Sequence, residues 1–241
     1  MSLRGQKVVV VGGTSGIGFA VAEKALAEHA EVVVASSSSA NVEMAAKRLG
    51  GGAKGFPVNV TDDASVSALF EGLGAIDHVV FTAGDWGGFG GGAFAETDFE
   101  TAAQGLAVRY WGAARVAKHA HKHLPPGGSI TFTNGMLAHR PAKGRALSTA
   151  MAGGIEHLTM GLAMDLAPIR VNCVCPALIR TDVWNSIPEA GREDQFKRMT
   201  AHQPLPRIGE PDEVAEAYLY LMKAGYTTGQ VLRVDGGSSL V

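Results

Sequence analysis

The chain has 241 residues, of which 46% are hydrophobic and 18% charged. This balance is typical of a globular protein with a large core and argues against a disordered polar chain. The formal net charge is −2, so we predict neither a nucleic-acid partner nor attraction to an anionic membrane. No apolar run reaches transmembrane length, and the first strand begins too early for a signal peptide. We therefore expect a cytoplasmic protein.

The spacing of the cysteines and of one histidine group favours packing over metal binding. Cys173 and Cys175 lie two residues apart in an apolar run, so on a strand both would face the same side. That arrangement suits buried packing better than a disulfide framework. His119, His121 and His123 alternate, which on a helix distributes them around the axis. We predict no metal site.

The first half of the chain alternates short β-branched runs with helical segments. Near-continuous valine runs are typical of parallel strands that are covered on both faces. The predicted strands are Lys7–Val11, Glu31–Ala35, Phe56–Val60 and Asp77–Phe81, and the predicted helices are Ile17–His29, Asn41–Leu49 and Asp63–Glu71.

The second half continues the same alternation, with a glycine-rich stretch, Gly87–Gly92, and a polar excursion, Asp182–His202, that we interpret as a lid. Strands alternating with helices predict right-handed βαβ units. We therefore predict one α/β domain over residues 1–241, with a Rossmann-type doubly wound parallel sheet of about seven strands and helices on both faces. The predicted elements are helix Thr97–His123, strand Ser129–Thr133, helix Ala146–Leu166, strand Arg170–Val174, helix Pro211–Lys223 and strand Val231–Val234.

A glycine-rich turn joins the first predicted strand to the first predicted helix. Glycine permits positive φ and lets the backbone approach a pyrophosphate, and the helix N-terminus offers free N–H groups to the anion. Because the turn occupies the first βα connection of an alternating chain, we predict dinucleotide binding there. The residues expected to hold the cofactor in this turn are Gly12, Thr14, Ser15, Gly16, Ile17 and Gly18.

Four serines, Ser36, Ser37, Ser38 and Ser39, follow the second predicted strand. An acidic residue there would bind the ribose 2′-hydroxyl and repel a 2′-phosphate, whereas a basic residue would accept the phosphate. The serines carry no negative charge that would repel a 2′-phosphate, and their hydroxyls are able to hydrogen-bond it. The first three are predicted cofactor contacts, and NADP(H) is favoured over NAD(H), although no arginine is present in this segment.

Further segments resemble the motifs of the short-chain dehydrogenase/reductase family nearly end to end. Asn59-Val60-Thr61-Asp62 resembles the adenine-side segment, and Phe81-Thr82-Ala83-Gly84 stands where the family has Asn-Asn-Ala-Gly. Pro176-Ala177-Leu178-Ile179-Arg180-Thr181 resembles the loop that holds the nicotinamide. The resemblance implies further cofactor contacts at Asn59, Val60, Ala83, Gly84, Pro176, Ile179 and Thr181.

The resemblance also implies a Tyr-Lys-Ser-Asn tetrad, and this chain departs from it. Alignment places Ser148 at the Tyr and Ala152 at the Lys, and a one-residue shift supplies neither group. Gly135 stands at the Ser and Arg109 at the Asn. In the family the Lys lowers the pKa of the Tyr so that it donates a proton near neutral pH. That mechanism is therefore not predicted here.

Arg109 and Ser148 remain the catalytic candidates. An inward Arg109 would occupy space left by the Lys and offer a fork of donors to a carboxylate or to the cofactor; the alternative is a surface ion pair. Asp85 and Trp86 are candidates for shaping the pocket. The basic loop that contains His139 is either a selector of anionic ligands or a solvated surface.

Two main functions remain open. The first is an NADP(H)-linked oxidoreductase acting on a small molecule that needs no tyrosine acid, such as a pre-protonated imine, a quinone or an activated double bond. The second is a catalytically inactive cofactor-binding member that acts as a regulatory or structural subunit, and a non-redox enzyme is a third. By analogy with the family we expect a homodimer or homotetramer.

Overall fold

The computed structural model describes residues 2–84 and 92–241. Its centre is a seven-stranded parallel sheet in the order β3-β2-β1-β4-β5-β6-β7. The predicted doubly wound α/β fold is confirmed. The strands are β1 (Lys7–Val11), β2 (Glu31–Ser36), β3 (Lys54–Pro57), β4 (His78–Phe81), β5 (Ser129–Thr133), β6 (Arg170–Pro176) and β7 (Val231–Val234).

Helices cover both faces of the sheet, and short 3₁₀ turns lie in several of the strand–helix connections. Of the helices in the described part of the chain, only α6 reaches twenty residues, and none is both long and apolar enough to span a bilayer. The helices are α1 (Gly16–Ala27), α2 (Ser39–Leu49), α3 (Asp63–Leu73), α4 (Phe99–Leu106), α5 (Gly112–Ala120), α6 (Ala146–Asp165), α7 (Arg192–Thr200) and α8 (Pro211–Lys223).

The valine runs pack into two separate cores because successive side chains of a strand point to opposite faces. Val9 and Val11 of β1 face the core beneath α3, α5 and α6. Val8 and Val10 face the core beneath α1 and α8. Both cysteines are free and buried on β6, as the sequence predicts.

The chain reverses its winding direction between β1 and β4, which are neighbours in the sheet. From β1 the chain proceeds outward through β2 to β3, and it then returns to β4 and continues through β7. In open parallel sheets, ligands bind at the carboxyl ends of the strands beside such a switch point. The glycine turn after β1 lies at this position.

The third strand is displaced from its predicted place. It covers Lys54–Pro57, whereas the sequence predicts Phe56–Val60. Val58 and Val60 are buried after the strand has ended, and they pack into the core on the α3 and α5 side. These two valines are therefore apolar because helices cover them, and not because they belong to the sheet.

The predicted long helix over Thr97–His123 is divided in the structure. It begins at Phe99, after Asp98 caps the N-terminus through Glu100 N. A π-helical segment, Ala107–Trp111, then connects α4 to α5. One-turn π segments are frequent at functional sites because they reorient a side chain within a helix.

Two further expectations concern the loops. The excursion Asp182–His202 contains a 3₁₀ turn, Asp182–Ser186, and helix α7. Asp85 and Trp86, and the glycine-rich stretch up to residue 91, lie outside the described residues.

Candidate functional site

Backbone crowding around the glycine turn brings the carboxyl ends of β1 and β4 together. Gly12 has φ +92°, and a Cβ there would lie 2.5 Å from Ala83 N. A Cβ on Gly18 would lie 2.3 Å from Gly12 O, and thus inside the turn itself. The Thr82 hydroxyl donates to Gly12 O at 3.0 Å. Thr82 thus fixes the turn from the position where the family has Asn.

The N-terminus of α1 presents its first N–H groups without a side-chain cap. Ser15 is the N-cap residue, but its side chain makes no capping hydrogen bond, and the first turn of α1 contains no acidic residue. Four N–H groups at a helix start lack intrahelical partners, and together with the helix dipole they favour an anion. Thr14 is half-buried beside them, and Ile17 packs into the core on the α1 side.

The segment after β6 closes against the same turn. A Cβ on Gly16 would lie 3.0 Å from Thr181 Cγ2. Pro176 is buried as the last residue of β6, and Ile179 is buried where it bridges to Gly209. The Ile179 carbonyl accepts from the Trp184 indole N–H at 2.7 Å. Predicted cofactor residues that are more than 160 positions apart in the chain therefore share one site.

The serines after β2 have separate structural roles. Ser36 is half-buried at the end of β2, and Ser37 is exposed. Ser38 caps α2, its hydroxyl oxygen accepting from Asn41 N at 3.2 Å. Ser39 begins α2. The hydroxyl of Ser38 still has its proton available for donation.

The adenine-side pair is only partly directed toward a ligand. Asn59 is exposed, but its Oδ1 accepts from the backbone N and the hydroxyl of Thr61 at 3.0 and 2.8 Å. Val60 is buried, and its side chain lies against Gly112 of α5. Because the side chain of Val60 is packed inside the protein, only its backbone atoms are available to contact a cofactor.

The π-helical segment directs Arg109 into the protein. Arg109 is 6% exposed, and its Nη2 donates to Gly84 O at 2.5 Å. A Cβ on Gly84 would lie 2.8 Å from Arg109 Cγ, so this glycine is required for the close approach. The ring of the neighbouring Tyr110 packs against Gly154 of α6, away from the Arg109 guanidinium. The guanidinium thus covers the loop after β4, where Ala83 and Gly84 are predicted cofactor contacts.

The first turns of α6 carry the other catalytic candidate. Ser148 is 1% exposed and Ala152 is fully buried. They are four residues apart and hence lie on one face of the helix. Glu156, four residues further on, continues this face and is 8% exposed.

Glu156 is a buried charged residue that the sequence reasoning missed. Asn134 Nδ2, at the end of β5, donates to Glu156 Oε1 at 2.6 Å. His139 Nε2 lies 2.8 Å from the same oxygen, although its N–H is not aligned for a hydrogen bond. Glu156 follows Ala152 by four residues and Ser148 by eight, so the sequence alone places all three on one face of a helix. That spacing could have identified Glu156 as a site residue. His139, predicted only as part of a basic loop, therefore belongs to a buried polar group.

A tyrosine does lie near this edge of the sheet, but it is unsuited to donate protons. Tyr218 of α8 is fully buried, and its hydroxyl is 2.6 Å from Thr133 Oγ1. Burial raises the pKa of Tyr218 above its usual value. Thr133 in turn donates to Phe81 O at 2.7 Å, so the pair links α8 to the sheet.

These features define a doubly wound α/β protein with a glycine turn and an uncapped helix N-terminus at the switch point of its sheet. A family model described as Enoyl-(Acyl carrier protein) reductase matches residues 11–239. Short-chain dehydrogenase/reductase fsr5 of Gibberella fujikuroi is 36% identical over 256 residues, covering 99% of this chain and 96% of that protein. Short-chain dehydrogenase/reductase malC of Malbranchea aurantiaca is 33% identical, with 99% and 96% covered.

Comparison with solved structures indicates the same family as the sequence comparisons. A small-chain dehydrogenase in complex with NADPH is 34% identical with a TM-score of 0.85, covering 98% of this chain and all of that one. The MalC Reductase/Diels-Alderase from Malbranchea aurantiaca is 32% identical with a TM-score of 0.92, covering 99% and 98%. The chain therefore belongs to the short-chain dehydrogenase/reductase family of oxidoreductases.

Proposed function

We propose that this protein is an NADP(H)-dependent oxidoreductase that transfers hydride to or from a small molecule without a tyrosine acid. The observation that carries the proposal is the cradle after β1. Neighbouring backbone leaves no room for a Cβ at Gly12 or Gly18, Gly16 has φ +51°, and the start of α1 is uncapped beside them. This arrangement fits a pyrophosphate, because the glycines hold the turn against a helix start whose free N–H groups favour an anion.

The preference for NADP(H) is supported by the segment after β2 and by a relative. Ser36, Ser37 and Ser38 contribute no negative charge to repel a 2′-phosphate, and Ser38 lies at the start of α2. The small-chain dehydrogenase with a TM-score of 0.85 was solved with NADPH. Weak discrimination against NAD(H) is expected, because no arginine stands among these serines to bind the phosphate.

The proposed active site differs from the family pattern in its source of protons. Ser148 and Ala152 occupy the positions that Tyr and Lys occupy in the resemblance, and a serine hydroxyl is a much weaker acid than a tyrosine assisted by a lysine. General acid–base assistance raises the rate roughly 10²–10⁴-fold, which corresponds to about 3–5 kcal/mol of activation free energy. Positioning of the reactants contributes more, about 7–11 kcal/mol. Hydride transfer to an already protonated imine or to a quinone therefore remains feasible.

In this proposal the chain binds the cofactor, orients the substrate against it and shields the reacting groups from water. The start of α1 holds the diphosphate, and the segment from Pro176 to Thr181 positions the nicotinamide end, where NADPH supplies hydride when bound. Arg109, directed inward on the π-helical segment, contributes a fixed positive charge next to Gly84. We assign to Arg109 the orientation of an electron-rich substrate group or of the cofactor.

The test is nucleotide binding followed by turnover. Calorimetry with NADPH and NADH measures affinity, and a panel of carbonyls, imines and quinones measures oxidation of NADPH. We expect saturable binding of NADPH that exceeds that of NADH, and turnover of imines or quinones above carbonyls. The absence of saturable binding of either nucleotide would overturn the proposal.

A second candidate is a cofactor-binding protein without activity, and the buried Ser148 and Ala152 favour it. The double substitution Ser148→Tyr with Ala152→Lys distinguishes the two functions. Carbonyl reduction that appears only in this variant indicates a competent pocket that lacks its acid. Because both positions are buried, a melting curve must first show that the variant is folded. Tight NADPH binding without turnover of any panel member favours the inactive protein.

We also propose self-association as a homodimer or homotetramer. Helices α4 and α6 and the π-helical segment expose large apolar side chains, which in soluble proteins often mark interaction surfaces. Light scattering coupled to size exclusion measures the oligomeric state, and a monomer at micromolar concentration would contradict the proposal. The side chains concerned, each at least 47% exposed, are Phe99, Trp111, Met160 and Met164.

A further inference from the structure

Three potential metal ligands converge behind the edge of the proposed active site. One ligand atom each of His139, Glu156 and Cys175 lies within 4.8 Å of the other two. They come from the loop after β5, from α6 and from β6 respectively. We propose that these residues form a binding site for one Zn²⁺ ion.

The ligand set suits zinc. Thiolate, imidazole and carboxylate are its usual protein ligands, with bond lengths of about 2.0–2.3 Å in tetrahedral geometry. Ligand atoms in such a site lie about 3.3–3.8 Å apart, so the three groups need to move by only about 1 Å. Three protein ligands leave the fourth position to water.

The hydrogen bonding around the three ligands leaves room for an ion to add contacts. Asn134 is fully buried and contacts two members of the group, with Nδ2 2.6 Å from Glu156 Oε1 and 3.8 Å from Cys175 Sγ. Its Oδ1 has no hydrogen-bond partner, and buried polar atoms without partners are rare. His139 Nε2 has no aligned hydrogen bond, but it lies 2.8 Å from Glu156 Oε1 as an ion-pair contact. A zinc ion would lie between these two atoms, with the remaining imidazole proton on Nδ1, and Asn134 Nδ2 would orient the carboxylate.

The charges also balance. A buried carboxylate is costly unless a positive charge compensates it. Zn²⁺ with one thiolate, one carboxylate and one neutral imidazole has zero net charge. Cys175 is a free cysteine buried on β6, and zinc binds the thiolate. Binding of Zn²⁺ to the thiol therefore forms the S–Zn bond and releases the Sγ proton to the buffer.

The position gives the ion a mechanical role. Cys175 directly precedes Pro176, Glu156 lies one helical turn beyond Ala152, and Asn134 directly precedes Gly135. Zinc would thus link α6, β6 and the loop after β5, the three elements that form the proposed nicotinamide pocket. Such a link reduces their relative motion whether or not the protein catalyses a reaction.

The experiment is metal loading of the full chain without nucleotide, so that its outcome is independent of the proposed function. Chelator-treated protein receives Co²⁺ or Zn²⁺. We expect a thiolate-to-cobalt charge-transfer band at one equivalent, one zinc per chain by mass spectrometry, and a rise in Tm of about 5–10 °C at a hundredfold excess over Kd. Calorimetry in buffers of different ionisation enthalpy should count at least one released proton.

Matched variants locate the ligands. Cys175→Ser should abolish the charge-transfer band, whereas Cys173→Ser, on the same strand, should retain it. His139→Gln should weaken Zn²⁺ binding at least tenfold, and His157→Gln, an exposed histidine on α6, should not. Melting of the metal-free variants checks that each is folded. Zinc below a tenth of an equivalent with no change in Tm, or a band that survives in Cys175→Ser, overturns the proposal.

Discussion

Glycine in this protein has two distinct uses, which differ in what surrounds the missing side chain. Gly18 faces backbone, since a Cβ would lie 2.3 Å from Gly12 O. Gly72, within α3, has open space around it and an ordinary φ. The first glycine is required by the fold of the turn after β1, whereas the second only lowers helix propensity.

We predict that Gly18→Ala weakens NADPH binding at least tenfold, because the turn must open to admit the methyl group and the N–H groups lose their alignment. Gly72→Ala, the matched control, should leave affinity unchanged and raise stability by about 0.5–1 kcal/mol. Calorimetry and urea unfolding measure the two effects. Equal affinities in the two variants would show that this turn does not hold the nucleotide.

Arg170 serves as a side-chain cap for the C-terminus of α8. Its guanidinium donates to Leu221 O at 2.5 Å, Met222 O at 2.7 Å and Ala224 O at 3.1 Å. Leu221 and Met222 belong to the last turn of α8 and Ala224 is its C-cap residue, where the helix dipole favours a cation. At 6% exposure, the arginine satisfies carbonyls that water reaches poorly.

We predict that Arg170→Met lowers the free energy of unfolding by about 3 kcal/mol, because buried carbonyls lose charge-assisted hydrogen bonds. Arg233→Met, at an exposed position on β7, should change it by less than about 0.5 kcal/mol. Urea denaturation at neutral pH measures both. A loss in Arg170→Met no larger than in the control would contradict the capping role.

At the scale of elements, Arg180 connects the segment after β6 to helix α7. Arg180 pairs with Glu193 of α7, and its Nε lies 3.0 Å from Glu210 Oε1 next to α8. The guanidinium also lies over the Phe196 ring at 5.1 Å. The two glutamates raise the pKa of Arg180 above its usual value. The excursion that the sequence presents as a lid is thus tethered at the end of β6.

We predict that Arg180→Gln increases hydrogen exchange of residues 192–200 about 3–10-fold and changes global stability by less than about 1 kcal/mol, because exposed ion pairs contribute little to unfolding. Arg198→Gln, within α7, is the control and should leave the exchange rates unchanged. Mass spectrometry after pepsin digestion resolves the segment. Unchanged exchange in Arg180→Gln would mean that packing of Trp184 on Phe196 suffices to hold α7.

At the scale of the whole molecule, a buried histidine makes stability depend on pH. His78 is 3% exposed, and its Nδ1 lies 2.8 Å from Ser129 Oγ. Burial, and after it the charge of Arg170, lower the pKa of His78 to about 4 from 6.5. Between pH 6.5 and about pH 4 the unfolded chain binds a proton at His78 that the native protein does not bind. The free energy of unfolding therefore decreases as the pH falls.

We predict that the free energy of unfolding decreases between about pH 6.5 and pH 4, with a contribution from His78 of about 3 kcal/mol. His78→Gln should be less stable at pH 7.5 but lose less stability on acidification. Urea denaturation at several pH values measures the difference. Parallel pH profiles for the variant and the wild type would assign the acid sensitivity to other groups.

Prediction from the sequence succeeded where structure depends on neighbouring residues. The strand Lys7–Val11 and the helix Pro211–Lys223 have the predicted bounds, because side-chain periodicity and capping residues act over a few positions. It was wrong where burial came from a distant element, as for Val58 and Val60, whose apolar character was attributed to the third strand. The π-helical segment that directs Arg109 inward has no local signature in the pattern.

By itself, the sequence determined the alternation of strands and helices, the parallel sheet and the glycine turn, because each follows from spacing within one segment. Only the tertiary structure decided that Asn134, His139, Glu156 and Cys175 meet. Those residues are separated by up to 41 positions, and their distances depend on strand order and on how α6 packs against β5 and β6. Periodicity places a side chain on a face, whereas the packing of whole elements determines what that face contacts.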